Sequence, residues 1–272
     1  MSAADPDGEG RPELGDSGPS DAAVVRRILR FEQALRARVA TTTRALPFGI
    51  ATLCPDLPLF RGASGVEVVR PAAVSEVLTA IDPLFAEVGL PHRRITTAVA
   101  EVAWLLAPAL IDRGWRSERL LTMVHDGTTA PMVSALGFQV VDHERYAPVG
   151  RRMLADAGWG RDPAVQDDVE GYERRLAEAF GARFVIDLDG VSGCHVHRHG
   201  PIAQIQSVNV LREHRGRGLG TGLLAAAMAQ CADAAVRFIV ADVDDWPQHW
   251  YRRLGFRPVA AGWGWTLDPP AR

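Results

Sequence analysis

The segment that decides the fold is Val208-Asn-Val-Leu-Arg-Glu-His-Arg-Gly-Arg-Gly-Leu-Gly-Thr-Gly-Leu-Leu224. An apolar run leads into a glycine-rich turn and then an Ala/Leu-rich stretch, which predicts a strand, a tight turn and a helix. Backbone N–H groups at a helix start have no intrahelical acceptor, and the helix dipole adds partial positive charge there. Because glycine lets the backbone approach a ligand closely, the turn from Arg215 to Gly220 is predicted to bind a phosphate.

This turn differs from two common phosphate-binding motifs. The Lys-Ser/Thr pair of a Walker A loop does not follow it, and its third glycine is misplaced for a dinucleotide fingerprint. On the turn alone, a tight strand-to-helix connection with solvated arginines is the alternative.

A second segment lies about 30 residues further on. It has Asp244, Pro247 and Tyr251, and then Leu254-Gly255-Phe256. Together the two segments resemble the cofactor signatures of the GNAT superfamily of N-acetyltransferases. In that family the first is Arg/Gln-x-x-Gly-x-Gly/Ala, and the second is an Asn, an Ala and a Tyr running into Leu-Gly-Phe. Asp and Pro replace the Asn and Ala here, but Asp caps helices and Pro is tolerated in a first turn.

The resemblance implies an α+β GNAT fold, in which a mixed central sheet with two splayed parallel strands is flanked by helices. Those strands are expected at about 204–211 and 238–243. Acetyl-CoA is the implied cosubstrate, held in the V between them, and no metal is implied. The implied cofactor-binding residues are Val208, Val210, Arg215, Gly216, Arg217, Gly218, Leu219, Gly220, Thr221, Asp244 and Tyr251.

The reaction that the resemblance implies is direct attack of a primary amine on the thioester in a ternary complex. Tyr251 aligns with the family's general acid, and the alternative is that its ring only packs against the pantetheine. A general base is also required. No side chain on the strand before the turn is a good base, so the base remains unassigned.

Three histidines alternate along the predicted strand at 193–199, so they are expected on one face of it. They are His195, His197 and His199. A solvated strand face is the favoured interpretation. The alternative is that one of them binds the substrate or serves as the base.

Three regions are predicted along the chain: a disordered tail at 1–20, an α/β unit at 21–150, and the GNAT domain at 163–268. Residues 46–58 are predicted to be irregular and 145–162 to form a connector. The first half alternates strands and helices. One interpretation is therefore that the chain contains two tandem GNAT-like units, of which the first is degenerate. No sequence repeat is evident. Since the first half has no glycine-rich turn, one cofactor per chain is expected.

Composition restricts the class of protein. The 272 residues carry a net charge of −3, which gives no reason to expect nucleic acid or a membrane surface as a partner. No apolar run approaches the ~20 residues of a bilayer span, and the N-terminus does not resemble a secretory signal. The three cysteines form neither a metal-binding nor a disulfide pattern, so a cytoplasmic location is expected.

The predicted function is therefore an acyl-CoA-dependent N-acetyltransferase that acts on a small-molecule or peptide amine, as a monomer or homodimer. One alternative is a tandem acetyltransferase resembling mycothiol synthase, acting on a small amino-sugar thiol. Another is an acyl-CoA sensor or interaction module without catalysis.

Overall fold

The structure is a computed structural model that describes residues 19–125, 127 and 137–269. The predicted tail at 1–20 lies almost wholly outside these residues. The first half contains α1 (Pro19–Val39), β1 (Thr42–Leu46), β2 (Gly49–Leu53), β3 (Gly65–Val68), α2 (Val74–Glu87), β4 (Arg93–Thr97), α3 (Ala100–Ile111) and β5 (Arg116–His125). No helix in the described ranges has both the length and the hydropathy needed to cross a membrane.

The second half contains β6 (Phe138–Val141), α4 (His143–Ala157), α5 (Pro163–Phe180), β7 (Arg183–Asp187), β8 (Ser192–His199), β9 (Ile202–Val210), α6 (Leu219–Ala229), β10 (Val236–Asp242), α7 (Pro247–Arg253) and β11 (Phe256–Leu267). Helix α4 occupies most of the predicted connector, and β2 lies in the segment predicted to be irregular. Both of those predictions are wrong.

All the described strands form one mixed sheet in the order β1-β2-β3-β4-β11-β5-β10-β9-β8-β7-β6. Helices cover both of its faces. On β10, for example, Ile239 belongs to the core under α6, whereas Phe238 packs edge-on against Phe31 of α1 with ring centroids 5.6 Å apart. The expected α+β class with a mixed sheet between helices is therefore confirmed.

The two halves repeat the same order of elements. Elements α1-β1-β2-β3-α2-β4-α3-β5 correspond one for one to α5-β7-β8-β9-α6-β10-α7-β11, and β6 and α4 precede the second series. In each half, the third and fourth of these strands pair in parallel: β3 with β4, and β9 with β10. Two GNAT-like units in tandem are therefore present, although no repeat was evident in the sequence.

The structural repeat extends to the buried side chains of the corresponding helices α1 and α5. Their buried faces carry the same types of residue at the same spacing, namely Ile28, Phe31, Glu32 and Leu35 in α1 and Val169, Tyr172, Glu173 and Leu176 in α5. Each helix thus carries a glutamate within an otherwise apolar stripe.

The two units exchange their last strands. Strand β5 lies between β10 and β11, and β11 lies between β4 and β5. Each unit therefore completes its sheet with a strand from the other. Because β6 pairs with β7, residues from 138 onward join the sheet of the second unit. The predicted domain boundaries remain predictions.

Candidate functional site

The parallel strands β9 and β10 part within the sheet. They pair only from Ile202 with Val236 to Ile205 with Ile239, and then β9 continues to Val210 and β10 to Asp242. Ser207 has a positive φ of 55°, where β9 also shifts register against β8. A bulge of this kind bends a strand away from its neighbour. The structure therefore contains the expected V between two splayed strands.

The glycine-rich turn leads from the end of β9 into α6. Gly216 and Gly218 have φ values of 76° and 80°, in the left-handed region that favours glycine. The first hydrogen bond of α6 runs from the Gly222 N–H to the Gly218 carbonyl, at 3.1 Å. The amides of Leu219, Gly220 and Thr221 precede that bond, as expected at a helix start. This geometry suits a phosphate.

Two arginines add positive charge to the turn. Arg215 donates from Nε to the Val210 carbonyl at 2.9 Å and lies 3.6 Å from a carboxylate oxygen of Asp156. Arg217 donates to the Glu213 carbonyl at 3.2 Å. Since both guanidinium groups are held by hydrogen bonds to the backbone, their charge stays close to the exposed amides. Arg215 also ties the turn to the end of β9.

Tyr251 lies on α7, beside the parted strands. Its side chain is 6% exposed, and its ring centroid lies 4.9 Å from that of Trp250 and 5.8 Å from that of Phe256. Burial raises its pKa well above the ordinary value. The phenol therefore keeps its proton at neutral pH and can donate it. Trp250 also reaches the turn, because a Cβ built on Gly220 would lie 3.5 Å from its ring.

Asp244 does not cap the start of α7, although its alignment with the Asn of the family signature suggested that role. Its carboxylate lies 3.5 Å from a guanidinium nitrogen of Arg119, and its own N–H donates to Asp242 at 2.8 Å. The carboxylate that accepts the Trp246 N–H before α7 is that of Asp245, at 2.8 Å. The interpretation of Asp244 as a helix cap is therefore wrong. Its contact with the cofactor remains a prediction.

A cavity of about 270 Å³ lies between α4, α5 and the same stretch of β9. Gln206, Ser207 and Asn209 of β9 line it, with His195 of β8 and Glu173 of α5. Its remaining walls are largely aromatic and aliphatic, and they include Phe60 from the first unit. The cavity reaches β9 where this strand has left β10, so it adjoins the V.

Glu173 is the acidic residue among those that line this cavity, and the sequence analysis did not identify it. Its side chain is only 13% exposed, and its Oε1 lies 3.3 Å from Nε2 of His195. Burial, with a smaller contribution from Glu170, raises the pKa of Glu173 to about 8. The sequence feature that could have identified Glu173 is its position on α5, between Val169 and Leu176 on the face that becomes buried.

The three histidines of β8 are not equivalent. His195 and His197 are 2% and 0% exposed, whereas His199 is exposed. The solvated-face interpretation is therefore wrong for the first two. Burial lowers the pKa of His197 to about 4 and that of His195 well below its ordinary value, so both are neutral at pH 7. In the residues that the structure describes, no group of three or more His, Cys, Asp or Glu is placed to bind a metal.

The corresponding region of the first unit has no such turn. Helix α2 begins after Arg70-Pro71-Ala72-Ala73, and Ala73 provides no side-chain cap. A cavity of about 180 Å³ beside α1 is lined by charged side chains that pair with each other, Arg36 with Glu67 and Arg94 with Glu118. The phosphate-binding geometry is thus found in the second unit.

Parted parallel strands that lead into a helix start with free amides form a cleft whose turn suits a phosphate group. Residues 153–256 match the model of the acetyltransferase (GNAT) family, so the likeness to this family is shown for that segment of the chain. Members of this family generally use acetyl-CoA. No curated protein matches the sequence.

Solved structures with the same fold cover most of the chain. A conserved protein of unknown function from Staphylococcus epidermidis superposes with a TM-score of 0.71 at 13% identity, over 84% of this chain and 94% of its own. A GCN5-related N-acetyltransferase from Kribbella flavida gives 0.59 at 18% identity, over 95% and 97%. A tandem GNAT protein from the clavulanic acid biosynthesis pathway gives 0.50 at 17% identity, over 82% and 79%. At these identities the likeness concerns the fold.

Proposed function

We propose that the protein is an acyl-CoA-dependent N-acyltransferase that moves an acetyl group from acetyl-CoA to a primary amine in a ternary complex. One observation supports the proposal: the parted ends of β9 and β10 lead to the free amides at the start of α6, and Tyr251 belongs to the same apolar cluster as Val208 and Val243. These are the groups that thioester aminolysis needs, because the donor must be bound along a strand and its leaving group protonated.

In this proposal the diphosphate of acetyl-CoA lies on the amides from Gly216 to Thr221, since the Arg215 N–H donates to the Arg212 carbonyl. The left-handed Gly216 and Gly218 have open space where a Cβ would be, so the backbone of the turn is accessible to a ligand. The pantetheine lies along the edge of β9 that β10 has left, against Val208 and Val210. Asp244, which follows the end of β10 at Asp242, is proposed as a further contact to the cofactor.

The chemistry follows from the atoms around the V. The neutral amine attacks the thioester carbon, and a backbone N–H of β9 near Val210 stabilises the oxyanion. When the C–S bond breaks, Tyr251 donates its proton to the departing thiolate. Burial supports this role because it keeps the phenol protonated until that step.

The two-unit architecture also supports the more specific alternative of a tandem acetyltransferase whose acceptor is an amino-sugar thiol. In both cases we propose a reducing, cytoplasmic setting, because Cys54, Cys194 and Cys231 are buried free thiols.

The test is thiol release from acetyl-CoA by the purified chain in the presence of an amine panel that includes an amino-sugar thiol. We expect amine-dependent release of coenzyme A and an acetylated product of matching mass. Acetyl-CoA binding without release by any amine would instead support the acyl-CoA sensor. Absence of acetyl-CoA binding would reject both functions.

A further inference from the structure

We infer that Glu173 removes the proton from the acceptor amine, and that this acceptor is a compact primary amine with an apolar, ring-containing body, bound in the cavity between α4, α5 and β9. The inference rests on the proposed function and adds to it a base and a substrate class.

The position of Glu173 is the first reason. It shares the cavity with Ser207 and Asn209, which flank Val208 on the strand where the thioester is expected. An amine nitrogen in this cavity therefore has a carboxylate on one side and the acyl carbon on the other. Glu213, the acidic residue closest to the turn in sequence, is 76% exposed and is not needed for this role.

The surroundings of Glu173 are the second reason. The groups facing it are His195 of β8 and Tyr146 of α4, with Glu170 one turn earlier on α5. His197 and His143 lie behind His195 and add no positive charge, because burial lowers the pKa of both. The nearby Arg151 pairs with Asp167 and Glu170. No cation in the described part of the chain pairs with Glu173, so an ammonium group entering the cavity would be its first positive partner.

His195 is a positioning residue in this scheme. Its ring is held by Tyr146 and Phe184, at centroid distances of 4.8 and 5.0 Å. Its Nε2 is fully buried and makes no hydrogen bond within the described residues, although Oε1 of Glu173 is 3.3 Å away. A small movement of Glu173 toward or away from the amine would make or break this contact. The unsatisfied nitrogen points to a ligand-dependent arrangement.

The proton transfers balance. The ammonium N–H bond breaks and an O–H bond forms on Glu173, which leaves the nitrogen lone pair free to form the C–N bond. When the C–S bond breaks, the sulfur takes the Tyr251 proton. The extra proton on the amide nitrogen then replaces the proton that Tyr251 gave up, and Glu173 releases its proton to solvent.

The walls of the cavity indicate the substrate class. Phe60, Trp159 and Tyr172 present aromatic surfaces, and Met153 and Leu154 add aliphatic ones. Aromatic faces attract a cation and pack well against a ring. With about 270 Å³ available, the cavity suits a small amine rather than a folded polypeptide segment.

The experiment compares Glu173→Gln with Glu32→Gln, its counterpart on α1 of the first unit, using acetyl-CoA and 2-phenylethylamine. We expect Glu173→Gln to lower kcat/KM by at least about 100-fold, while acetyl-CoA affinity changes by less than about twofold. Glu32→Gln is expected to keep wild-type activity.

The pH profile provides a second measurement. In the wild type, kcat/KM should rise with pH through about 8. In Glu173→Gln this rise should move to the amine's own pKa, about 10.

A second variant distinguishes the loss of the proposed base from a loss of folded structure. Formate added to Glu173→Ala should restore part of the activity, because it supplies a carboxylate to the emptied space. Unchanged activity in Glu173→Gln, or acetylation of polar polyamines but not of 2-phenylethylamine, would overturn the inference while leaving the proposed function intact. Failure of the wild type to bind acetyl-CoA would instead overturn the proposed function.

Discussion

Oε1 of Glu173 lies 3.3 Å from Nε2 of His195, and the side chains that form this contact are 13% and 3% exposed. Burial raises the pKa of the carboxyl and lowers that of the imidazole, so the pair carries little charge at neutral pH. A carboxyl group whose pKa lies near the working pH is suited to accept a proton and release it again. The contact brings together α5 and β8 beside the V.

The raised pKa of Glu173 predicts how stability depends on pH. Between its ordinary pKa of 4.5 and the folded value of about 8, the unfolded chain loses this proton while the folded chain keeps it. The contribution of Glu173 to stability should therefore fall as pH rises across that window, by up to about 1.4 kcal/mol per pH unit, and stop changing above it. Glu173→Gln should flatten this dependence in urea unfolding between pH 5 and 9. Glu178→Gln, at an exposed position of the same helix, should keep the wild-type slope.

The glycine-rich turn allows a matched pair of substitutions. Gly218 and Gly114 both have a φ of 80° and open space where a Cβ would be, but only Gly218 lies at the start of α6. Alanine at either position should cost about 1–2 kcal/mol of backbone strain. Gly218→Ala should in addition weaken acetyl-CoA binding by about tenfold or more, because it disturbs the amides. Equal affinities of the two variants in calorimetry would argue against a phosphate at this turn.

Removal of the phenol hydroxyl should separate chemistry from binding. In Tyr251→Phe the ring contacts with Trp250 and Phe256 remain, but no proton is available for the thiolate. We expect kcat to fall by about 100-fold or more while the acetyl-CoA Kd stays within about twofold. Steady-state kinetics and a binding titration on the same sample provide the two values. If Tyr251→Phe kept the wild-type kcat, Tyr251 would contribute ring packing and would not be the proton donor.

The exchanged strands predict that the second unit cannot fold alone. A fragment of residues 137–272 lacks β5, so β10 loses its antiparallel partner and β11 loses its longest pairing. An exposed strand edge of this kind promotes aggregation. We expect the isolated fragment to lack cooperative urea unfolding and to regain it when co-expressed with residues 1–127. A stable, monomeric fragment would show that the exchange is not required for folding.

Much of the second unit could be predicted from local sequence. The pair Asp189-Gly190 favours a tight hairpin turn, and the structure places it between β7 and β8, with a φ of 63° at Gly190. The glycine-rich turn and its helix were also evident, because the signal lies within a few residues. Helix α4 was missed because Gly150 within it, and Gly158 and Gly160 just after it, resembled a linker. Gly150 instead packs on Tyr146, whose ring would lie 2.9 Å from a Cβ at that position.

The features that escaped prediction depend on contacts between distant segments. The pairing of β5 with both β10 and β11 joins residues more than about 100 positions apart, and no local pattern encodes it. The contact between Glu173 and His195 likewise forms only when α5 packs on β8. The buried histidines appeared solvated because alternation along a strand identifies a shared face but not what covers it.

The most direct test of the account is a calorimetric titration of the purified chain with acetyl-CoA. We predict saturable binding of about one molecule per chain, since the helix-start geometry is found in the second unit and the corresponding start of α2 lacks it. A titration without binding would contradict the assignment of the V and its turn to an acylated coenzyme. Two equivalent molecules per chain would contradict its restriction to the second unit.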